Sequence, residues 1–486
     1  MNGPGHSSIA WIKSVTVSGI RHWVMSKPDP RPLCLLQSHF SLMWGPVSLE
    51  RYADALLANG HQHLILVDRG PLVGMVRQLN LCLTRGLIPI IGCELLRGDD
   101  QAFCLVRTEE GFHHCCHLLT ALAFQPDAPL WELAEQHYRG MSWLSLSPSL
   151  LQLAQETPDW TMYLPLSRGT LARARDLARQ FSHPLLAVQR VMILNHDDWQ
   201  QHRLLQAIAG NTTLAQLPPW PSHSHVGFPR QEEARFWGAF PEATARAQVM
   251  LEEHHYVPRL DQRRYPDTTT LGNHQTLREL AFRGALQRLG TLTNAAKTRL
   301  ERELDRIERK GFEAPFLIAA DVVRQFPITC GRGSAAASLV AYCLGITHVD
   351  PLQHQLMFER FLSEGRLDPP DIDIDFPWDE RDQVRLYLCE RFGRDHVALV
   401  ANLNHFQQAS ALQETAKVFG FGPRELTLLN RQLSRLRRFS NGHLAMSSLP
   451  EGLQEVMQRA MTLVGHPREL SVHCGGVIIA PSPLLE

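Results

Sequence analysis

From Arg31 to roughly Leu217, short apolar runs such as Leu64-Ile65-Leu66-Val67, Leu87-Ile88-Pro89-Ile90-Ile91 and Leu185 to Val188 alternate with amphipathic stretches. That rhythm predicts β-α units. Pro218-Pro219-Trp220-Pro221, followed by Ser and His, predicts a linker. A helix is expected near Glu232 to His254, then a second polar, Pro-containing break around Pro258 to Thr270. Long helices are expected from Leu277 to Arg324, and further helices at Ala335 to Leu344, Arg381 to Phe392 and Ser410 to Phe419. Between Pro370 and Phe376 the period drops to two. A strand there puts Asp371, Asp373 and Asp375 on one face and Ile372 and Ile374 on the other.

At 486 residues the chain is long enough for two to four domains, and 44% apolar with 20% charged residues is an ordinary globular composition. No apolar run reaches the length of a membrane span, and Met1 to Ser8 lacks the pattern of a secretory signal, so no membrane partner and a cytoplasmic location are expected. Ten Cys without paired spacing point to reduced thiols. A net charge of −1 excludes an overall basic nucleic-acid binder, so phosphate contacts must come from local clusters. Arg299, Arg302, Arg306, Arg309 and Lys310 interleave with Glu301, Glu303, Asp305 and Glu308 and read as a solvated, salt-bridged helix face. Arg431, Arg435, Arg437 and Arg438 are less diluted by acids and are candidates for touching nucleic acid.

Three carboxylates on one strand face repel one another unless solvent or divalent cations offset the repulsion. Hard oxygen donors in a row suit Mg²⁺, which shares phosphate oxygens with a substrate. Upstream, Gly331-Arg332-Gly333-Ser334 forms a flexible turn able to aim N–H groups at an anion, and a helix starting at Ala335 would add a positive dipole end. A phosphate cradle beside a carboxylate strand is the chemistry of two-metal phosphoryl transfer. His113-His114-Cys115-Cys116-His117 has zinc-ligand residue types, but on a helix His113 and His117 share a face that Cys115 does not, so no zinc is expected.

The stretch Gly331 to Phe376, with Leu344-Gly345-Ile346-Thr347, Phe358-Glu359-Arg360-Phe361-Leu362-Ser363 and Pro369 to Phe376, resembles the palm of the alpha subunit of bacterial DNA polymerase III (family C). Pro-Pro-Asp-Ile-Asp-Ile-Asp-Phe is most similar to the error-prone second alpha subunit of mutagenic repair, and His473-Cys474-Gly475-Gly476-Val477-Ile478 is similar to the return from the thumb. The resemblance implies an α/β multidomain chain. Residues 1–30 are an N-terminal extension, and 31–217 are a degenerate (β/α) barrel of the polymerase and histidinol phosphatase (PHP) type. Residues 218–270 are a linker and connecting helix, 271–376 a nucleotidyltransferase-like palm, 377–470 a helical thumb and 471–486 the start of a return to the palm. Carried over, Asp371 and Asp373 are catalytic metal ligands for two Mg²⁺, with Asp375 the weaker candidate. Gly331, Arg332, Gly333 and Ser334 hold nucleotide phosphates, while Lys417, Arg435, Arg437 and Arg438 contact DNA. Primed DNA and dNTPs are the implied partners.

Departures from the family pattern shape the expectation. In the barrel, His39, Asp68 and Glu94 survive at vestigial PHP positions, but Leu35, Gln37, Arg69, Arg190 and Met192 stand where metal ligands belong, so a metal-free, structural barrel is expected. The family's third aspartate and its fingers follow the His-x-Gly-Gly segment, and the sequence ends at Glu486 before reaching them. His405 to Glu414 is neutral where the family places arginines. Two readings result. The chain is the N-terminal part of an error-prone DNA polymerase whose other half comes from a separate chain or was lost by truncation, working with other mutagenic-repair proteins, or it is a silent DNA-binding or scaffold protein in repair.

Overall fold

The computed structural model describes residues 31–217, 227–228, 234–259, 266, 276–366, 370–422, 424–425 and 451–485. The predicted β-α rhythm closes into a seven-stranded barrel: β1 (Leu33–Leu36), β2 (His63–Arg69), β3 (Ile88–Arg97), β4 (Asp100–Val106), β5 (Met141–Ser145), β6 (Met162–Leu166) and β7 (Leu185–Val191). Neighbours are parallel except β4, which runs antiparallel to β3 and β5, and β7 pairs back onto β1. Closure leaves no sheet edge. Alternate residues of these strands, among them Leu33, Leu35, Ile65, Val67, Leu186 and Val188, share a buried cluster with Trp237, Ala243, Ala247 and Met250. The expected connecting helix is thus two helices, Ala234–Gly238 and Pro241–Glu253, and its apolar face completes the barrel core rather than bridging to a later domain.

The described residues fall into two compact units, one within Met1–Asp261 and Ala401–Ser471, the other within Gln262–Val400 and Val472–Glu486. In the first unit the last barrel helix, His196–Ala209, is fixed by a capping box in which Asn195 and Asp198 satisfy each other's backbone N–H. It packs Leu204, Leu205 and Ala207 against Ala411, Leu412 and Ala416 of the helix Gln408–Val418 and against Val456, Ala460 and Leu463 of the helix Glu451–Leu463. The stretch read as a helical thumb therefore contributes to the barrel's unit. It also contains strand, because β10 (Val397–His405) pairs with β11 (Pro467–Ile479) and the division between units falls inside both.

The second unit is built on three helices, Leu277–Leu289, Asn294–Lys310 and Glu313–Gln325. Their ends follow from local chemistry: Thr276 and Glu279 form a capping box, the Thr293 side chain accepts from the Ala296 N–H, and Gly311 closes the second helix at φ +66°. Leu300, Leu304 and Ile307 give that helix an apolar stripe that packs with Phe316, Leu339, Val340, Phe358 and Phe361. Among the described residues no helix is long and apolar enough to cross a membrane.

Two imidazoles, His466 buried and His39 half-buried, are expected to make the first unit acid-sensitive. His39 is lowered to about 4 and His466 to about 3, chiefly by burial; for His39, Glu50 opposes the fall while His405 and Arg77 add to it, and for His466, His39 and then His405 add to it. Their rings meet edge to face at 5.9 Å. Both stay neutral in the folded chain, whereas the unfolded chain takes up protons below about 6.5. The unfolded state then binds more protons, so stability is lost as pH falls below about 6.5, at up to about 1.4 kcal/mol per pH unit for each group. Melts followed by circular dichroism should show the barrel's midpoint dropping between pH 7 and 5, with a shallower drop for His466→Gln. An equal drop in the variant would remove His466 from the account.

Candidate active site

The two segments singled out in the sequence are adjacent strands. β8 (Cys330–Arg332) pairs antiparallel with β9 (Asp373–Asp375) in the register Cys330↔Asp375, Gly331↔Ile374 and Arg332↔Asp373. The alternation holds from Asp371 onward: Asp371, Asp373 and Asp375 are exposed, while Ile372 and Ile374 pack onto the helical core. Regular strand covers only the last three of those residues.

The glycines are needed for distinct reasons. A Cβ on Gly331 would lie 2.2 Å from the carbonyl oxygen of Ile346, so this residue permits backbone-to-backbone packing rather than approach to an anion. Gly333 has φ +65°, and a Cβ there would sit 3.1 Å from Asp373 Oδ2. The Asp373 carboxylate therefore lies beside the turn. Gly333 opens a 3₁₀ turn through Ala337, where its N–H and that of Ser334 have no acceptor within the turn. The continuous helix expected from Ala335 to Leu344 is broken. Ser338 caps a separate five-residue helix, Leu339–Cys343, by accepting from Ala341 N–H, so the dipole contribution is small.

The carboxylates are not equivalent. Arg332 Nε lies 3.3 Å from Asp375 Oδ1, and Arg366 lies 3.9 Å from Asp371 Oδ2. Asp373 has no basic side chain within 4.0 Å among the described residues. It is the carboxylate both nearest the cradle and least committed.

What holds the cradle was missed in the sequence. Glu303, read as part of a solvated face, is fully buried. Its Oε2 accepts from Ser338 Oγ (3.0 Å) and Val340 N–H (3.2 Å), and its Oε1 from Arg299 Nε (2.8 Å). Arg299 also donates to the carbonyls of Ala337 (3.0 Å) and Leu356 (2.8 Å). Burial pushes the Glu303 carboxyl up, and Arg299 with the Val340 and Ser338 hydrogen bonds only partly offsets it. Arg306 is likewise 9% exposed, donating to the Leu362 carbonyl and to Glu359 and Glu364. Only the outer part of the helix, where Arg278 pairs with Asp305 and Glu308, matches the expected surface lattice. The available signal was spacing: Glu303 is three residues from Leu300 and four from Ile307, on the apolar stripe.

In the barrel, Gln37, Arg69, Glu94 and Arg190 project from the carboxyl ends of β1, β2, β3 and β7 into one network. Glu94 is 2% exposed and accepts from Gln37 Nε2 (2.6 Å), Arg190 Nη2 (3.0 Å), Arg69 and Gln101. Burial alone would raise its carboxyl, but Arg190, then Arg69 and Gln37, more than offset this and hold it below the usual range. Asp68, one residue before Arg69 and so on the other face of β2, accepts from Ser38 N–H (2.6 Å), Ser38 Oγ (2.8 Å) and Ser41 Oγ (2.7 Å); burial pushes it up to about 7. Leu35 is buried in the barrel core.

Comparison with known proteins bears on the family and the domains. Residues 275–486 match the family described as "Bacterial DNA polymerase III alpha NTPase domain", and residues 35–183, which span the barrel, match "PHP domain". The error-prone DNA polymerase of Symbiobacterium thermophilum is 31% identical over 93% of this chain and 47% of its own length. That of Bdellovibrio bacteriovorus is 27% identical over 95% and 48%, and the DNA polymerase III subunit alpha of Halalkalibacterium halodurans is 27% identical over 93% and 44%. Residues 275–486 thus carry a bacterial DNA polymerase III alpha domain, and residues 35–183 a PHP domain. The chain spans about half the length of the curated relatives it matches.

The polymerase III alpha family resemblance implies metal at both places, and the fit differs. At the hairpin, one or two exposed carboxylates beside a turn whose first N–H groups have no acceptor within the turn fit Mg²⁺ that takes its other ligands from water and phosphate. At the barrel mouth, two guanidinium groups already occupy Glu94 and Asp68 is taken up by Ser38 and Ser41, so a cation cluster does not fit. Among the described residues no three His, Cys, Asp or Glu side chains are grouped to hold a metal. The His113 to His117 run lies on the helix Glu109–Phe124, with Cys115 buried 3.7 Å from Cys93 while His117 stacks on His137. Lys417 is paired with Glu414 at 3.0 Å on its own helix. Arg431, Arg435, Arg437 and Arg438 lie outside the described residues.

Proposed function

We propose that this chain supplies the metal and triphosphate half of a DNA polymerase active site, adding deoxynucleotides to a primer in error-prone synthesis, with the barrel in a structural role. The observation that carries this reading is the placing of the Asp373 carboxylate beside the Gly333 turn within one antiparallel pair. Asp371 and Asp373 would hold Mg²⁺, with Asp375 steadied by Arg332 at the end of the row. Bound Mg²⁺ supplies charge neutralisation on the phosphoryl group and activation of the attacking hydroxyl. The N–H groups of Gly333 and Ser334 and the Ser334 hydroxyl take the β and γ phosphate oxygens. Gly331 seats the turn on Ile346, and Arg332 keeps the cradle strand in register with the acids. Template pairing selects the base, so DNA is held through its phosphates, by Arg435, Arg437 and Arg438 and by Lys417 if DNA displaces Glu414.

Since whole relatives are about twice as long, we further propose that residues 1–486 alone do not complete the reaction and need a C-terminal polymerase half. With Mg²⁺, four dNTPs and a labelled primer-template, the isolated chain should give no product above the level of its Asp373→Asn variant. Robust synthesis lost in that variant would overturn the requirement for a further half; synthesis surviving the substitution would remove the aspartates as the site. The pairing of Lys417 with Glu414 favours a second reading, a silent scaffold in repair. A salt-independent affinity for primed DNA would support it against phosphate contacts.

A further inference from the structure

We propose that the barrel mouth, with guanidinium groups in place of metal ligands, is a phosphate-binding site built on Arg69 and Arg190. The charge count is the first ground. Two guanidiniums face the single carboxylate of Glu94, and Asp68 is turned away onto Ser38 and Ser41, leaving one positive charge uncompensated in the mouth. Donor capacity is the second. Arg69 uses Nε on Glu94 while its guanidinium lies 3.4 Å over the Trp44 ring; neither terminal amino group has an acceptor among the described residues. Arg190 spends one terminal amino group on Gln37 Oε1 (2.9 Å) and Glu94 Oε1 (3.0 Å), and its buried Nε has no partner among the described residues. Access is the third: the two side chains are 26% and 22% exposed, so the mouth reaches solvent. A structural triad alone would need one cation per carboxylate, whereas a planar fork with free N–H groups matches phosphate oxygens. The ligand is a phosphate group, either free or at the end of a nucleic-acid strand.

The test is titration of the whole chain with inorganic phosphate, with chloride at equal ionic strength as control, by calorimetry and thermal melting. Saturable binding and a midpoint rise of about 3 °C at saturation are expected. Arg69→Gln should weaken binding at least about tenfold, as expected for loss of one charge-assisted contact. Glu94→Gln should tighten it, because the competing carboxylate is gone; a purely structural role predicts no anion response in either variant. Absence of saturable binding to the wild-type chain overturns the proposal whether or not a variant folds. A 5′-phosphorylated oligodeoxynucleotide that competes with phosphate where its 5′-hydroxyl form does not identifies a strand end as the source; equal failure of both identifies the free anion.

Discussion

Asp373→Asn should lower the affinity of this chain for a dNTP in the presence of Mg²⁺ by at least about tenfold, and leave its affinity in EDTA unchanged. Asp373 is the carboxylate beside the Gly333 turn and, of the three in the row, the one with no basic side chain within 4.0 Å among the described residues. Replacing one carboxylate oxygen by an amide nitrogen keeps the shape and removes both the charge and a hard oxygen donor. Asp375→Asn should cost less, because Arg332 already neutralises Asp375 at 3.3 Å. Calorimetric titration of dATP with and without Mg²⁺ separates the outcomes. Equal losses for the two substitutions would mean that the row acts as a diffuse negative surface rather than through a specific ligand.

Glu303→Ala should destabilise the second unit by about 3–5 kcal/mol, the cost of breaking a buried ion pair and leaving its partner uncompensated. The Glu303 side chain is 0% and that of Arg299 17% exposed, so the pair is largely shielded from solvent screening. Loss of the carboxylate also strands the Ser338 hydroxyl and the Val340 N–H. Glu303→Gln should cost less, because its carbonyl oxygen can still accept while the ionic component is lost. Urea unfolding of both variants checks the order. A Glu303→Ala loss below about 1 kcal/mol would show that the helical core positions the cradle without this carboxylate.

The parts of the molecule legible in the sequence are those set by short-range periodicity. Alternation placed Asp371, Asp373 and Asp375 on an exposed face and Ile372 and Ile374 in the core, and the β-α rhythm gave a closed barrel. Hidden features depend on long-range pairing. Arg69 and Arg190 are 121 positions apart by the difference of their numbers, and only the β2–β3 and β1–β7 registers bring both to Glu94. The alanine-rich run after Gly333 reads as one helix because its composition favours helix, yet the Ser338 side chain competes for the backbone and splits it. Glu303 was misread because alternating charges on a helix usually mean solvent, and the apolar stripe beside it carries the contrary signal.

In the proposed site the turn at Gly333 and the strand ending at Asp375 together bind a metal-complexed triphosphate. Hydrogen–deuterium exchange of the chain with Mg²⁺ and dATP tests it most directly. Slowed exchange confined to peptides covering residues 330–337 and 371–375, and absent without Mg²⁺ or in Asp373→Asn, is the predicted result. Unchanged exchange across both peptides at nucleotide concentrations that saturate binding would contradict it.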